Sequence, residues 1–73
     1  MNDDELKIER EIVDGANALA RLFYDLMGYV VPEGYRFDKA HHPYEVMVWR
    51  QAVVAYEHVA GTDVEDALNQ IED

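Results

Sequence analysis

Two adjacent histidines and a nearby glutamate are the residues of this chain best suited to metal chemistry. His41, His42 and Glu45 fall within five positions, and Zn²⁺ accepts both imidazole and carboxylate ligands. However, neighbouring side chains diverge where a chain enters a helix, the H-E-x-x-H spacing is absent, and His58 is more than a dozen residues away. We therefore expect no metal site, and histidines that cap a helix or face water.

The chain has few groups for nucleophilic catalysis. It contains no Ser and no Cys, and its single Thr, Thr62, stands where a helix cap is expected. Hydroxyl and thiol groups are the usual nucleophiles of covalent catalysis, and the four glycines are too scattered for a phosphate-binding loop. With sixteen Asp and Glu residues, carboxylate pairs arise by chance. We expect a protein that is not an enzyme and has no catalytic residues or cofactors.

Length and charge restrict the partners. The 73 residues suffice for one domain, and sixteen acidic against six basic residues give a net charge of −10, which repels nucleic acids and anionic lipids. No basic residue follows Arg50, and cysteine is absent. No apolar run reaches the roughly 20 residues of a membrane span, and the acidic N-terminus does not resemble a secretory signal. We expect a cytoplasmic protein that binds neither nucleic acid nor membrane directly, and whose acidity serves solubility or a basic protein partner.

Helical periodicity dominates the first third of the chain. A helix is predicted from Asp3 to Met27, with Asn2 or Asp3 as its N-cap and Gly28 just beyond its end. Gly15 either divides this helix or lets another helix approach closely, and we favour one helix. The apolar stripe comprises Ile8, Ile12, Ala16, Leu19, Phe23 and Leu26. The opposite side carries Glu11, Asp14, Asn17, Arg21 and Asp25.

Two further helices are predicted. Pro43 suits the first position of a helix that runs to Ala60. Thr62 and Glu65 have the spacing of a capping box ahead of a short helix over residues 63–72. The inward positions are Val46, Trp49, Val53, Tyr56 and Ala60, widened by Ala52 and Val59, and then Val64, Ala67, Leu68 and Ile71. The fold class is therefore all-α, a single three-helix domain with an aromatic loop over residues 28–42, which we call the elbow.

The elbow is unusually apolar for a loop. Residues 31–34 (VPEG) fit a type II turn, a small hairpin around them is the alternative, and Asp38 could begin a single helical turn. Because the loop has many large apolar groups, we expect Val30 or Val31, Tyr35 and Phe37 to close the open side of the helical core. A contact patch for a partner is a second role that is compatible with the first.

The candidate partner-binding residues are aromatic or acidic. Aromatic side chains would supply binding energy, and acids would orient the partner and set its association rate. If that partner binds DNA, the acids could compete with phosphates as a nucleic-acid mimic does. The candidates are Tyr29, Tyr35, Phe37, Trp49, Glu57, Asp63, Glu65 and Asp66.

The unequal helix lengths predict a second surface. The first helix would be about 37 Å long and the second about 27 Å, so the N-terminal apolar residues stay uncovered unless the third helix folds across them. An uncovered surface could form a two-fold homodimer, and a compact monomer is the alternative. The candidate dimer contacts are Leu6, Ile8, Ile12 and Val13.

Three phrases of the sequence carry a resemblance. They are PEGY at 32–35, HP.E...W..A..AYE at 42–57 and GTD.EDAL at 61–68. Through them, residues 27–68 resemble small acidic proteins encoded by temperate phages and prophages of enteric bacteria. The resemblance implies an accessory protein in the bacterial cytoplasm that binds host or phage proteins, and it transfers no site residues. Our hypothesis is a non-enzymatic interaction module that modulates such a protein; the alternative is a structural homodimer or assembly subunit without regulatory activity.

Overall fold

The computed structural model describes residues 6–72, and within them the chain is helical with no strand. Helix α1 spans Lys7–Leu26, α2 spans Pro43–Ala60 and α3 spans Val64–Glu72, while a 3₁₀ turn occupies Phe37–Lys39 in the elbow. The expected all-α, three-helix fold is confirmed. The expected start of the first helix at Asp3, with its cap, lies outside the described residues.

Gly28 ends α1 as the sequence indicates. Its φ of +92° allows the Gly28 N–H to donate to the Asp25 carbonyl at 2.9 Å and the Tyr29 N–H to donate to the Tyr24 carbonyl at 3.2 Å. These two bonds define a Schellman motif, which satisfies carbonyls that the helix leaves without partners. The motif turns the chain sharply, so that Tyr29 returns beside Tyr24.

The N-terminus of α3 is capped by groups other than those expected. Asp63 Oδ1 accepts a hydrogen bond from the Asp66 N–H at 3.0 Å, and Glu57 Oε2, from α2, accepts one from the Val64 N–H at 2.8 Å. The expected capping box beginning at Thr62 is wrong, because the helix starts one residue later than that box requires. Glu57 thereby joins α2 to α3.

The buried face of α1 is rotated from the stripe that periodicity indicated. Ile8 and Leu26, at the ends of that stripe, are 67% and 78% exposed. Asn17, which was placed on the outer side, is buried, because α1 packs against α2, α3 and the 3₁₀ turn of the elbow rather than against one neighbour. The buried residues of α1 are Val13, Ala16, Asn17, Ala20 and Tyr24.

Gly15 lies inside the continuous α1 helix, which confirms a single helix. A Cβ atom at this position would lie 2.7 Å from Tyr56 Cε2 of α2, closer than non-bonded carbon atoms approach. The missing side chain therefore makes room for the Tyr56 ring against α1.

Two apolar clusters hold the helices together, and Trp49 packs against both. The first joins α1, α2 and the elbow, and the second joins α1, α2 and α3. In α2, the expected inward positions Ala60 and Val59 are exposed, Val59 by 87%, because α3 packs mainly on α1. The buried residues of α2 and α3 are Val48, Ala52, Val53, Val64 and Ala67.

The elbow forms a turn rather than a hairpin. The Tyr35 N–H donates to the Pro32 carbonyl at 3.1 Å with Gly34 at φ +84°, so the turn covers residues 32–35, one residue later than expected. Arg21 of α1 holds its start by donating to the Val31 carbonyl at 3.1 Å and the Pro32 carbonyl at 3.3 Å.

Candidate partner-binding surface

A buried polar network fixes the elbow to α1. Asn17 Oδ1 accepts from the Phe37 N–H at 2.6 Å, and Asn17 Nδ2 donates to Asp38 Oδ1 at 2.9 Å and to the Val13 carbonyl at 3.1 Å. Arg36 forms a two-point ion pair with the fully buried Asp38 carboxylate, Nε to Oδ1 at 2.9 Å and Nη2 to Oδ2 at 3.1 Å. Among residues 6–72, each buried side-chain nitrogen or oxygen has a partner.

Three tyrosine rings stack where α1, the elbow and α2 meet. The ring centroids of Tyr24 and Tyr29 are 4.8 Å apart, and those of Tyr29 and Tyr44 are 6.3 Å apart, with interplanar angles of 22° and 29°. Tyr24 is buried, while Tyr29 and Tyr44 are 41% and 50% exposed. The stack therefore runs from the core to the surface.

Glu45 holds the base of this stack. Its carboxylate accepts a hydrogen bond from the Tyr24 hydroxyl at 3.3 Å and a short one from the Tyr35 hydroxyl. The hydrogen bond to Glu45, followed by burial, raises the pKa of Tyr35 to about 12. Burial and then the Glu45 charge raise the pKa of Tyr24. Both hydroxyls thus stay protonated as donors, and the rings are held in fixed positions.

Apolar side chains extend this exposed surface. Leu26, Met27 and Val30, which flank the Gly28 turn, are 78%, 45% and 88% exposed. We define the aromatic patch as Leu26, Met27, Tyr29, Val30 and Tyr44. Large exposed apolar areas rimmed by polar residues commonly mark interaction sites.

The predicted aromatic contacts differ in their exposure to solvent. Tyr29 is exposed, and Tyr35 and Trp49 are half-buried. Phe37 is 1% exposed and lies in the first apolar cluster, so its assignment as a partner contact is wrong: the network around Asn17 pulls the elbow onto α1. Tyr44 was missed, although its place directly after the helix-starting Pro43 was a signal that its ring would lie at the surface next to the elbow.

The predicted acidic contacts lie at the junction of α2 and α3. Glu65 and Asp66 are exposed, whereas Glu57 and Asp63 also accept the hydrogen bonds that cap α3. A surface depression here is lined by both acidic and apolar side chains. Its lining comprises Trp49, Arg50, Val53, Val54, Glu57, Asp63 and Glu65. Sequence reasoning did not place Arg50 or Val54 beside these acids.

The predicted dimer contacts are largely covered by the chain itself. Val13 is 1% exposed and Ile12 packs against the second cluster, because α3 folds across this part of α1. Val13 as a dimer contact is therefore wrong. Leu6 is half-buried, and Ile8 remains exposed.

His42 has a structural role at the start of α2. Its Nδ1 accepts a hydrogen bond from the Tyr44 N–H at 3.2 Å, which confirms the expected cap, and His41 is exposed. In the described part of the chain, no three His, Asp or Glu side chains are placed to hold a metal ion. None of its helices has the length and apolar character of a membrane span.

Comparison of the chain with known protein families, curated proteins and solved structures gave no match. The functional argument therefore depends on the residues and the geometry described above.

Proposed function

We propose that this protein is a non-enzymatic interaction module that modulates a host or phage protein by binding its surface through the aromatic patch. The resemblance to accessory proteins of temperate phages supports the setting, the cytoplasm of a bacterial host. The alternative remains a structural homodimer or assembly subunit without regulatory activity.

The observation that carries this proposal is the stacked arrangement of Tyr29 and Tyr44 at the surface. Tyr29 is fixed by the Schellman turn on one side and by the Tyr24 ring on the other. Tyr24 is in turn bonded to Glu45. Rigid exposed tyrosines lose little conformational entropy on binding and are enriched at protein interfaces. The aromatic patch is thus preorganised for binding.

The test is affinity capture from a lysate of enteric bacteria carrying temperate phages, with matched variants. The wild-type chain should retain a protein in stoichiometric amount, and Tyr29→Ala combined with Tyr44→Ala should lose it. Ile8→Ala is the control, since it removes an apolar side chain that is 67% exposed at the opposite end of α1. Equal retention by all three chains, or retention by none, would contradict the proposal.

A narrower form of the proposal is nucleic-acid mimicry. No Lys or Arg follows residue 50, and α3 carries Glu65 and Asp66 on its exposed surface, so a DNA-binding partner would meet an acidic helix. Binding of this kind depends on screened charges. The affinity for the captured protein should fall steeply between about 0.05 and about 0.3 M salt, and an affinity insensitive to salt would argue for recognition by the aromatic patch alone.

A further inference from the structure

The outer side of α2 is an apolar strip that no part of residues 6–72 covers. Met47 and Val54 are 45% and 68% exposed and lie seven positions apart, on the same side of the helix. Arg50, Gln51 and His58 are exposed between and beyond them. A helix of a small monomer normally turns polar and charged residues outward, so the composition of this side requires an explanation.

Charge selects what can cover the strip. The chain carries −10 overall, and most of its surface repels another copy of itself. The strip contains no acid, and its one formal charge is that of Arg50. Arg50 and Val54 also line the adjoining depression, together with the acids Glu57, Asp63 and Glu65. Each molecule therefore presents a cation beside acids, and a second copy presents the same groups for pairing in the reverse order.

We propose that the outer side of α2 binds a second copy of this chain in an antiparallel, two-fold pair. In a two-fold interface the same patch serves both copies, so it must be self-complementary. With the two-fold axis at Val54, a residue a given number of positions before Val54 in one copy lies opposite the residue the same number of positions after Val54 in the other copy. Arg50 of each copy then lies one position from the level of Glu57 of the other, and these two residues, seven positions apart in α2, are on the same side of the helix. Val54 packs against its own counterpart.

This pairing leaves the aromatic patch free. Tyr29 and its neighbours flank the Gly28 turn, and Tyr44 is in the first turn of α2, ten positions before Val54, where the axis passes. The dimer would thus present two patches, and its existence does not depend on the function proposed above. We expect a pairing along one helix to bury less than the roughly 800 Å² per partner of a standard interface, and therefore to have a dissociation constant in the micromolar range.

Sedimentation velocity over about 5 to about 300 µM chain tests the pairing. The wild-type mass should rise with concentration from 8.4 kDa toward twice that value. Val54→Asp should weaken association by about tenfold or more, since a buried unpaired carboxylate is costly. Leu22→Asp is the matched control: it adds the same charge at a residue of α1 that is 53% exposed and belongs to neither surface, and it should associate as the wild type does.

A double-mutant cycle tests the register. Arg50→Gln and Glu57→Gln should each weaken association by about tenfold, and their effects should not add in the double variant, because each change alone already removes the pair. Glu57→Gln keeps a side-chain oxygen that can accept from the Val64 N–H. Circular dichroism verifies that each variant stays helical.

Three results would each overturn the pairing: a mass of one chain at all concentrations, equal weakening by Val54→Asp and Leu22→Asp, or additive weakening in the double variant. A loss of heterologous capture by Val54→Asp in a strict monomer would assign the strip to a different partner. Capture that depends on Tyr29 and Tyr44 would stand in any of these cases.

Discussion

At the scale of single residues, Asn17 is the side chain that decides where the elbow lies. It is 9% exposed; its amide oxygen accepts a hydrogen bond from the Phe37 N–H, and its amide nitrogen donates to the Asp38 carboxylate and the Val13 carbonyl. These groups are buried by the fold and need partners whether or not Asn17 is present. The position of Phe37 in the core therefore depends on a polar residue of α1.

The first prediction concerns this amide. Asn17→Ala should lower the free energy of unfolding by about 3 kcal/mol, because it leaves a buried N–H and part of a buried carboxylate without partners. Asn17→Asp should be at least as damaging, since it places a carboxylate against Asp38. Urea denaturation measures both. Asn69→Ala, at an exposed position of α3, is the control, and an equal effect at both sites would contradict the role given to Asn17.

The second prediction concerns the hydroxyl of Tyr35. Its pKa is raised from 10.0 to about 12 in the folded chain, so the folded state holds a proton that the unfolded state releases above pH 10. The stabilisation is fully present below pH 10 and is lost as the pH rises through 12. Urea midpoints at about pH 9 and about pH 11 should therefore differ, with the lower value at the alkaline pH.

Substitution isolates this hydroxyl. Tyr35→Phe should reduce the alkaline loss of stability, and the remaining loss belongs partly to Tyr24, whose pKa is raised by burial and then by Glu45. Tyr44→Phe, outside the hydrogen bonds of Glu45, should leave the alkaline loss unchanged. A Tyr35→Phe chain with the full wild-type loss would show that the Glu45 contact has little effect on stability.

At the scale of helices, the contact of Gly15 with Tyr56 links α1 to α2. In an open helix, Gly→Ala gains about 1 kcal/mol from helix propensity. Here the new methyl would meet the Tyr56 ring at 2.7 Å and force it from its packing against the second apolar cluster. We expect Gly15→Ala to lower the free energy of unfolding by about 1 kcal/mol.

A double-mutant cycle checks the cause. In a Tyr56→Ala background the obstruction is gone, and Gly15→Ala should then raise the free energy of unfolding by up to about 1 kcal/mol. Thermal and urea unfolding of the four chains give the coupling. If Gly15→Ala had the same effect in both backgrounds, close approach of Tyr56 would not be the reason for a glycine here.

The sequence predicted the helices well and their orientation less well. The ends of α2 are determined locally, by Pro43 at its start and Gly61 after its last residue, and both predicted ends were confirmed. The sequence did not predict which side of α1 is buried. This helix has apolar residues on two sides, so its neighbours decide which side is covered, and the positions of α3 and the elbow cannot be deduced from the sequence of α1. Phe37 was expected to close the core and was also offered as a partner contact, and the Asn17 network, which joins residues 20 positions apart, decides for burial.

At the scale of the whole molecule, the distribution of charge is uneven. Of the acids, Asp3, Asp4, Glu5 and Asp73 lie outside the described residues, and α3 has acids but no Lys or Arg. In the ion pair of Arg36 with Asp38, the Asp38 carboxylate is fully buried, so salt screens this attraction little. Added salt therefore screens repulsion among exposed acids more than it weakens attraction.

The last prediction is that salt stabilises the fold. Raising NaCl from about 0.01 to about 0.15 M shortens the Debye length from about 30 to about 8 Å, and the thermal midpoint should rise, because self-repulsion destabilises a compact state of high net charge. Chain concentrations of a few micromolar or less keep association from contributing. Glu11→Lys, at an exposed position of α1, reduces the magnitude of the negative net charge by two and should flatten the dependence. A thermal midpoint that falls with salt would mean that attraction between surface charges outweighs repulsion. The acidic surface would then attract a basic partner less strongly than its net charge suggests.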